Sequence, residues 1–360
     1  MYTRRTYSIP VMLSWTRRYI VVFVLLALIP VCLYVLLEWR WLHLPWLPIG
    51  LIGTALAFII GFKNNACYGR LWEARKIYGG IVNESRLFAT MLNDFISNEF
   101  ASEPRAPEEL QGLRKQLVLR HVAWMTSLRH ALRVKKPWES LGFNVSDQEY
   151  MQKFRIQEYE VSLEDELEGY LEADEQAEIL SKTNRAAACL NLQSRQLRQL
   201  REAGLMDDFR HIEFKNLLGE LFTLQGKAER IKNFPYPRQF ATLNLFFIWM
   251  FSILLPFGLV HEFDEIGTSV AQDLLEHAPV SGLLAEHFVW LSIPFSVVIS
   301  WIFFTMERVG DASENPFEGL ANDVPITTMS RAIEIDMREM IGDDPDRIPA
   351  PHPPCKDTQM

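Results

Sequence analysis

The stretch IVVFVLLALIPVCLYVLL, residues 20–37, decides the fold, because its eighteen positions carry no charge. An apolar run of about 18 residues can cross a hydrocarbon core of roughly 30 Å as a helix. Three further apolar runs follow, at residues 47–62, 240–260 and 288–306. The sequence therefore predicts an all-α integral membrane protein with four transmembrane helices and a large polar helical region outside them.

The second run, residues 47–62, is short for a span. Its sixteen residues reach only about 24 Å as a helix, at about 1.5 Å per residue. A span this short is too short to face lipid along its whole length, so it is expected to pack inside a helical bundle or to line water. Small residues recur on it every four positions, at Gly53, Ala57 and Gly61, which predicts a face where a neighbouring backbone packs closely.

One residue further round the same helix, Thr54, Phe58 and Phe62 form a second row with a spacing of four. Spacing alone leaves two interpretations open: an apolar surface that faces lipid or the protein core, or the wall of a pore. If several copies of the helix surround an axis, stacked phenylalanine rings form a dry constriction that gates by dewetting. The polar mouth of that constriction would then be formed by the next three residues, Lys63, Asn64 and Asn65.

Basic residues gather at one set of span ends, at residues 63–76 and 230–238. This bias predicts that both ends of the chain are cytoplasmic, in a multi-pass protein of the inner (plasma) membrane. The segments at 38–46 and 261–287 are then the outer loops. The second of them holds six acidic residues and no lysine or arginine: Glu262, Asp264, Glu265, Asp273, Glu276 and Glu286.

This topology divides the chain into four regions. Apolar residues three and four apart predict that the second region is helical. Within it, the acid-rich stretch 161–178 is either a solvated helical face or a cation-attracting rim. The proline-rich end of the last region, RIPAPHPPCKDTQM, is expected to be disordered. The regions are residues 1–62 (an N-terminal arm and the first two spans), 63–235 (cytoplasmic helices), 236–309 (the third and fourth spans) and 310–360 (a cytoplasmic tail).

The chain lacks the residue patterns of an enzyme. Its four cysteines show no CxxC spacing, and His121 and His130 are nine residues apart, which is not metal-ligand spacing on one helix face. We interpret both histidines as helix-packing or surface residues. No catalytic residue, cofactor, metal ion or nucleic-acid partner is expected.

Three segments, in the expected order, resemble the bestrophin family and in particular its bacterial branch. They are GFKNNACYGRLWEARKIYGGIVNESR (61–86), AERIKNFPYP (228–237) and ENPFEGLANDVPITTMSRAIEIDM (314–337). The resemblance covers nearly the whole chain. It implies a homopentameric ion channel, in which five second spans form a hydrophobic neck and the cytoplasmic helices form a vestibule that ends in a second constriction. The implied partners are further copies of the chain, membrane lipid and permeating monovalent ions.

By this resemblance, the three ring positions of the neck fall on Thr54, Phe58 and Phe62. A large aliphatic or aromatic residue is usual at the first position, so Thr54 implies a wider and wetter outer end. The cytoplasmic aperture falls on Cys189, where a branched aliphatic residue is common. A small thiol there would widen the exit and make it redox sensitive, whereas the alternative is an ordinary buried cysteine.

Animal relatives bind calcium through an acidic cluster that follows an Asn-Pro-Phe tripeptide. Here the tripeptide at 315–317 is followed by EGLAND, so Asn315 and Asp323 match while the consecutive acids are missing. Such a site is too poor in carboxylates for tight Ca²⁺ binding. We expect no calcium gating, and the two residues equally fit a capped turn.

The expected function is passive conduction of small monovalent ions. The neck carries no charge to decide between chloride and sodium, and the acids at 164–178 together with cation-conducting bacterial members favour cations slightly. The competing interpretation is a membrane-anchored helical scaffold or sensor without conduction. A transporter fits less well, because no charged residue lies within a predicted span.

Overall fold

A computed structural model of the chain describes residues 1–139, 145–275 and 287–360. Helices make up nearly all of the regular structure in these ranges, which confirms the all-α prediction. Two short 3₁₀ helices, Phe288–Leu291 and Pro345–Arg347, accompany them. The α-helices are α1 Ile9–Leu36, α2 Trp46–Phe95, α3 Pro107–Arg133, α4 Val145–Met151, α5 Gln157–Glu160, α6 Leu163–Leu167, α7 Ala173–Leu180, α8 Arg185–Glu202, α9 Asp208–Asn233, α10 Arg238–Leu275, α11 Ser292–Glu314 and α12 Ile326–Met340.

Among the described residues, four helical segments are long and apolar enough to cross a membrane, and they coincide with the four predicted runs to within one residue. Each of the four helical segments is longer than its apolar run. The second run is the first third of α2, a continuous helix of 50 residues, so the short span does not end where the apolar residues end. Polar residues after residue 62 continue the helix because backbone hydrogen bonding does not require apolar side chains.

The predicted outer loop at 261–287 needs a correction, because α10 continues to Leu275. Four of its acids, Glu262, Asp264, Glu265 and Asp273, therefore lie on the helix. The hydroxyl of Tyr34 on α1 donates a hydrogen bond of 2.7 Å to Asp264, which holds this part of α10 against α1. The side chain of Asp273 and the residues Glu276 and Glu286 lie outside the described residues.

The chain forms two compact units. The span unit comprises residues 6–69 and 236–314, and the polar unit comprises residues 1–5, 70–235 and 315–360. The regions expected from the sequence divide at 62/63, 235/236 and 309/310, whereas the units divide at 69/70, 235/236 and 314/315. Both outer differences arise because α2 and α11 extend past their apolar runs.

The core of the span unit collects side chains from all four long helices. Phe23 of α1, Leu56 of α2, Phe251 of α10 and Phe304 of α11 are buried in one apolar cluster. The indole of Trp301 donates a hydrogen bond of 2.9 Å to the hydroxyl of Thr16. Each helix therefore buries one face in the bundle and leaves the other for its surroundings.

The polar unit is built around α3, which packs against α8, α9 and α12. Trp124 of α3 is fully buried and donates a hydrogen bond of 2.9 Å to Gln225. His121 stacks on Phe88, with ring centroids 5.1 Å apart, and its Nε2 lies 2.9 Å from the hydroxyl of Ser85. Burial lowers the pKa of His121 to about 3, so it is a neutral packing residue at ordinary pH.

The proline-rich end of the chain forms specific backbone contacts, so the predicted disorder is wrong. Isolated β-bridges join Thr358 to Tyr2 and to Cys355. The backbone N–H of Thr328 on α12 donates a hydrogen bond of 2.6 Å to the carbonyl of Met360. These partners lie far away in sequence, so local composition carries no sign of them.

Gly204 ends helix α8 in the left-handed conformation. Its φ is +73°, and the N–H of Leu205 reaches the carbonyl of Leu200 at 3.0 Å, which is a C-terminal capping arrangement. A Cβ atom at this position would lie 2.6 Å from the carbonyl oxygen of Phe100. Any side chain here is therefore disfavoured both by conformation and by contact.

Gly204→Ala is expected to destabilise the protein by more than about 1 kcal/mol, because a left-handed residue without glycine is strained and the new methyl group meets a carbonyl oxygen. The measurement is the thermal unfolding midpoint of the full chain in detergent, followed by circular dichroism.

The matched control is Gly219→Ala on α9, where a Cβ atom meets nothing within 4 Å. Alanine in a helix interior is favoured by about 0.5–1 kcal/mol over glycine, so this variant should melt at the same temperature or higher. Equal melting of both variants would contradict the capping role of Gly204.

Candidate functional site

Helix α2 has two unlike faces within the span unit. Gly53, Leu56 and Ile60 are buried, and a Cβ atom at Gly53 would lie 2.9 Å from the ring of Phe251. Glycine at this position thus lets α10 approach. Of the predicted small-residue stripe only Gly53 is buried, since Ala57 and Gly61 are exposed.

The predicted neck row lies on the opposite, exposed face. The side chains of Phe58 and Phe62 are 66% and 75% exposed, and Thr54 is exposed as well. The bundle therefore leaves two phenylalanine rings, one helical turn apart, without a partner in the chain's own core. An aromatic row of this kind is a surface for lipid or for further copies of the chain.

The hydroxyl of Thr54 donates a hydrogen bond of 2.9 Å to the carbonyl of Gly50, four residues earlier on the same helix. This bond occupies the hydroxyl hydrogen. The sequence analysis expected Thr54 to make the outer end of the row wetter. Because its hydroxyl already donates to Gly50, this end is less polar than an unbonded threonine hydroxyl would make it. A groove of about 570 Å³ runs beside it, lined by Gly53, Thr54, Ala57, Phe58, Phe251 and Phe303 among others.

Lys63 does not contribute to a polar mouth in this structure, which corrects the sequence-based expectation. Its side chain is only 3% exposed, because residue 63 falls on the same face as Leu56 and Ile60. Its ammonium group forms ion pairs with Glu307, and with Asp311 at 2.6 Å. The other two predicted mouth residues differ from it: Asn64 is half-buried and donates a hydrogen bond of 3.0 Å to the carbonyl of Met306, while Asn65 is exposed.

Lys63 belongs to a charged cluster that the sequence analysis missed; Lys63, Glu307 and Glu314 are buried in it, while Arg238 reaches the surface. Glu314 lies 3.8 Å from Lys63 and pairs with Arg238. The amide of Asn244 donates to Glu307, and Arg308 pairs with Asp311 at 2.9 Å. We call this group the Lys63 cluster; its charged members are Lys63, Arg238, Arg308, Glu307, Asp311 and Glu314.

The spacing of the three acids could have revealed this cluster. Residues 307, 311 and 314 are four and three apart, which places their side chains on one helix face. They follow an apolar run directly, so they lie at the end of a span where an unpaired carboxylate would be costly. Three acids in such a position require basic partners, and Lys63 supplies the one on α2.

Cys189 does not line an opening within the chain, which corrects the predicted aperture. It is fully buried on the face of α8 that packs against α3, and its sulfur lies 3.6 Å from the hydroxyl of Ser127. Burial raises the pKa of the Cys189 thiol to about 11. The residue is an inert core thiol, and the redox-sensitive exit is not supported.

The loop after the Asn-Pro-Phe tripeptide is held by Asp323. Its carboxylate accepts hydrogen bonds from the N–H groups of Phe317 at 2.9 Å and Gly319 at 2.7 Å. The guanidinium of Arg133 lies 3.3 Å from the same carboxylate and donates a bond of 3.0 Å to the carbonyl of Phe317. Asn315 is buried beside this loop.

These bonds occupy both oxygens of Asp323, and Arg133 supplies the positive charge beside them. The arrangement fits the capped turn better than a calcium site. In residues 1–139, 145–275 and 287–360, no group of three or more histidine, cysteine or acidic side chains is placed to hold a metal ion.

Half of the eight acids in the stretch 161–178 are paired with basic residues. These four acids contribute little free negative charge, which weakens the interpretation of the stretch as a cation-attracting rim. The pairs are Glu164 with Arg185 at 3.4 Å, Glu166 with Arg129 at 2.9 Å, Glu175 with Arg120, and Glu178 with Arg195 at 2.6 Å.

Comparison with known proteins places this architecture in a family. The family model for the Bacterial/Fungal Bestrophin protein matches residues 7–272 and 280–339. The chain belongs to the bacterial and fungal bestrophin family. This confirms the resemblance seen in the three sequence segments.

Relatives of this bestrophin include a voltage-dependent anion channel-forming protein of Ralstonia nicotianae, 28% identical over 310 residues that cover 84% of this chain and 82% of the relative. Another is the voltage-dependent anion channel-forming protein YneE of Escherichia coli, 26% identical over 87% of this chain and 82% of YneE. The crystal structure of a bestrophin homolog from Klebsiella pneumoniae matches with a TM-score of 0.70 and 25% identity, covering 91% of this chain and 98% of that one.

Lys63→Met is expected to destabilise the protein by about 3–5 kcal/mol, because it leaves buried carboxylates without their positive partner. The measurement is the thermal unfolding midpoint of the full chain in detergent. Lys63→Met combined with Glu307→Gln removes one charge of each sign and should recover part of the loss.

Lys76→Met is the control for Lys63→Met, since Lys76 forms an exposed pair with Glu73 at 2.5 Å. Exposed pairs contribute about 0–1 kcal/mol, so its midpoint should hardly move. A Lys63→Met protein as stable as wild type would show that the cluster is not buried in solution.

Cys189 is expected to resist maleimide in the native protein, because a buried thiol with a pKa of about 11 is only about 0.1% thiolate at roughly pH 8. The measurement is the labelling rate of a variant that keeps only Cys189, compared with one that keeps only the half-buried Cys355. Rapid labelling of Cys189 without denaturant would restore the aperture hypothesis.

Proposed function

We propose that this bestrophin is the subunit of a homopentameric channel that conducts small monovalent ions passively. The neck of the channel is formed by Thr54, Phe58 and Phe62 from the α2 helices of five copies. The observation that carries the proposal is the exposed aromatic row on α2, on the face that the four-helix bundle does not use.

A pore lined by one helix per subunit requires several copies around an axis. Cyclic symmetry brings a different face of each copy against the next, and such contacts close into a ring. Two rings of phenylalanine then enclose a narrow apolar passage, in which water is unstable when the radius is small. Conduction would be controlled by small changes in the distance between the rings and the axis.

The Lys63 cluster supports this assignment by keeping charge out of the neck. Lys63 follows Phe62 directly, yet its ammonium group is neutralised by Glu307 and Asp311. The neck therefore selects by size and dehydration rather than by a fixed charge. Asn65, which is exposed after the last ring, is the polar residue that remains available at the mouth.

We propose that the conducted ion is an anion. The relatives named above are described as anion channel-forming proteins. The slight sequence-based preference for cations rested on the acids at 164–178 and in the outer loop and on cation-conducting bacterial members, and half of the acids at 164–178 are paired. No other feature of the neck opposes an anion, because its lining is uncharged.

In this proposal the protein resides in the inner membrane with both chain ends in the cytoplasm. An even number of spans returns the chain to its starting side, and the basic residues at 63–76 and 230–238 favour the cytoplasm for that side. Membrane lipid covers the remaining apolar faces of the spans. Gating by calcium is not part of the proposal, since Asp323 is already occupied by Arg133 and backbone N–H groups.

Phe58→Trp is expected to reduce ion flux at least tenfold, because five larger side chains would occlude an apolar neck. The measurement is chloride flux into liposomes that contain only the purified protein. In asymmetric potassium chloride, the reversal potential of the wild type should lie near the chloride equilibrium potential.

Phe246→Trp on α10 is the matched control, since this phenylalanine is also exposed on a long apolar helix but lies outside the proposed neck. Its flux should equal that of the wild type, and native mass spectrometry should give five chains per particle. Monomers or dimers without flux would favour the membrane-anchored scaffold. A reversal potential at the potassium equilibrium value would make the conducted ion a cation.

A further inference from the structure

The groove beside the aromatic row is a surface that contacts within one chain leave uncovered. It measures about 570 Å³. The hydroxyl of Thr54 lines it but already donates to the carbonyl of Gly50, so an occupant is held mainly by apolar contact. The floor is formed by Gly50, Gly53 and Ala57 of α2, and the walls include Phe251 of α10 with Ile299 and Phe303 of α11.

The floor of the groove is wider than the fold of one chain requires. A Cβ atom at Gly53 would lie 2.9 Å from the ring of Phe251, so the chain's own packing explains this glycine. A Cβ atom at Gly50 would meet nothing within 4 Å. Glycine inside a helix is less stable than alanine, and no contact within the chain compensates for that difference at Gly50.

The other flank of α2 carries an apolar ridge. Successive residues of an α-helix lie about 100° apart, so Ala57 and Ile59 lie on opposite sides of Phe58. Ile59 is exposed, and so is Ala55 one turn earlier on the same side. Helix α2 therefore presents a hollow on one flank and a ridge on the other, with the aromatic row between them.

A hollow and a ridge on opposite flanks are what a closed ring of identical copies requires. In such a ring each copy presents one face to one neighbour and a different face to the other. A rotation about an axis normal to the membrane keeps every residue at its own depth. The hollow at residues 50–57 of one copy therefore meets residues of similar number on the next copy, and Ala55 and Ile59 fall in that interval or just beyond it.

The α11 wall of the groove lies at the same depth as the ridge. Lys63 on α2 pairs with Glu307 on α11, and the second and fourth spans cross the membrane in the same direction. One turn before each of these residues lie Ile59 and Phe303. Phe303 in turn packs on Phe251, with ring centroids 4.9 Å apart. The wall is thus a fixed aromatic surface at the depth where Ile59 of another copy arrives.

We propose that the groove receives the α2 helix of the neighbouring copy, with Ile59 of that copy seated against Ala57 and Phe303. This inference rests on the proposed function, because it requires the copies to surround the aromatic row. Small residues on the floor let two membrane helices approach closely. Phe58 lines both the groove and the proposed neck, so the neighbouring helix would support its ring and set the width of the neck.

The first test is disulfide cross-linking of the full chain in detergent. The variant combines Ala57→Cys with Ile59→Cys, in a background whose four native cysteines are replaced by alanine. The two thiols of one chain point to opposite sides of α2, so they cannot join each other. Mild oxidation is expected to link the chains into a ladder that ends at five copies.

The single-cysteine variants and a second pair are the controls for the ladder. Each single variant can join chains only in pairs, so neither should pass the dimer. Ala57→Cys combined with Ile253→Cys is the matched pair, because Ile253 is exposed on α10 but lies about 200° around that helix from Phe251. This pair should form no ladder.

The second test fills the hollow with a side chain. Gly50→Leu should keep the helix content of the wild type by circular dichroism, because the position is open within the chain. Native mass spectrometry should show at least a tenfold smaller fraction of five-chain particles. Ile253→Phe adds bulk on a face away from the groove, and its fraction of five-chain particles should equal that of the wild type.

The outcomes separate this contact from the channel itself. Five-chain particles that conduct chloride but form no ladder, or that tolerate Gly50→Leu, would overturn the contact and leave the proposed channel standing. Single chains in the wild type, with lipid retained in place of a neighbour, would overturn both proposals.

Discussion

The ion pairs between Lys63 and the acids of α11 are the constraint on which the rest of the structure depends. Lys63 is one residue after Phe62, which is about 100° around the helix axis. When Lys63 points into the bundle toward Glu307 and Asp311, the row of Thr54, Phe58 and Phe62 must point outward. The direction of the aromatic row is thus set by a buried ionic contact rather than by the row itself.

The composition of the Lys63 cluster explains how charges can be buried at this position. A buried charge is tolerated only when it is paired and hydrogen-bonded. The cluster holds three basic and three acidic side chains, and the amide of Asn244 serves a further carboxylate oxygen. Its formal net charge is zero, so it orients α2 without adding net charge beside the aromatic row.

Local patterns predicted the helices well and the long-range contacts poorly. Apolar runs and their periodicity were sufficient for the four spans and for the helical character of residues 63–235. Lys63 was misassigned because its neighbours in sequence suggested a mouth, although its spacing from Leu56 and Ile60 indicates the buried face. The prediction that Cys189 lines the aperture failed for a similar reason, since Cys189 lies on the buried side of α8 together with Ala186 and Gln193. The bridge between Tyr2 and Thr358 joins residues that no local rule connects.

That bridge has a consequence for biosynthesis. Residues 1–5 precede all four apolar helices in the chain, whereas their partners at 355–360 follow the last of these helices. The N-terminal arm therefore cannot form its contacts with residues 355–360 until all four apolar helices have been synthesised.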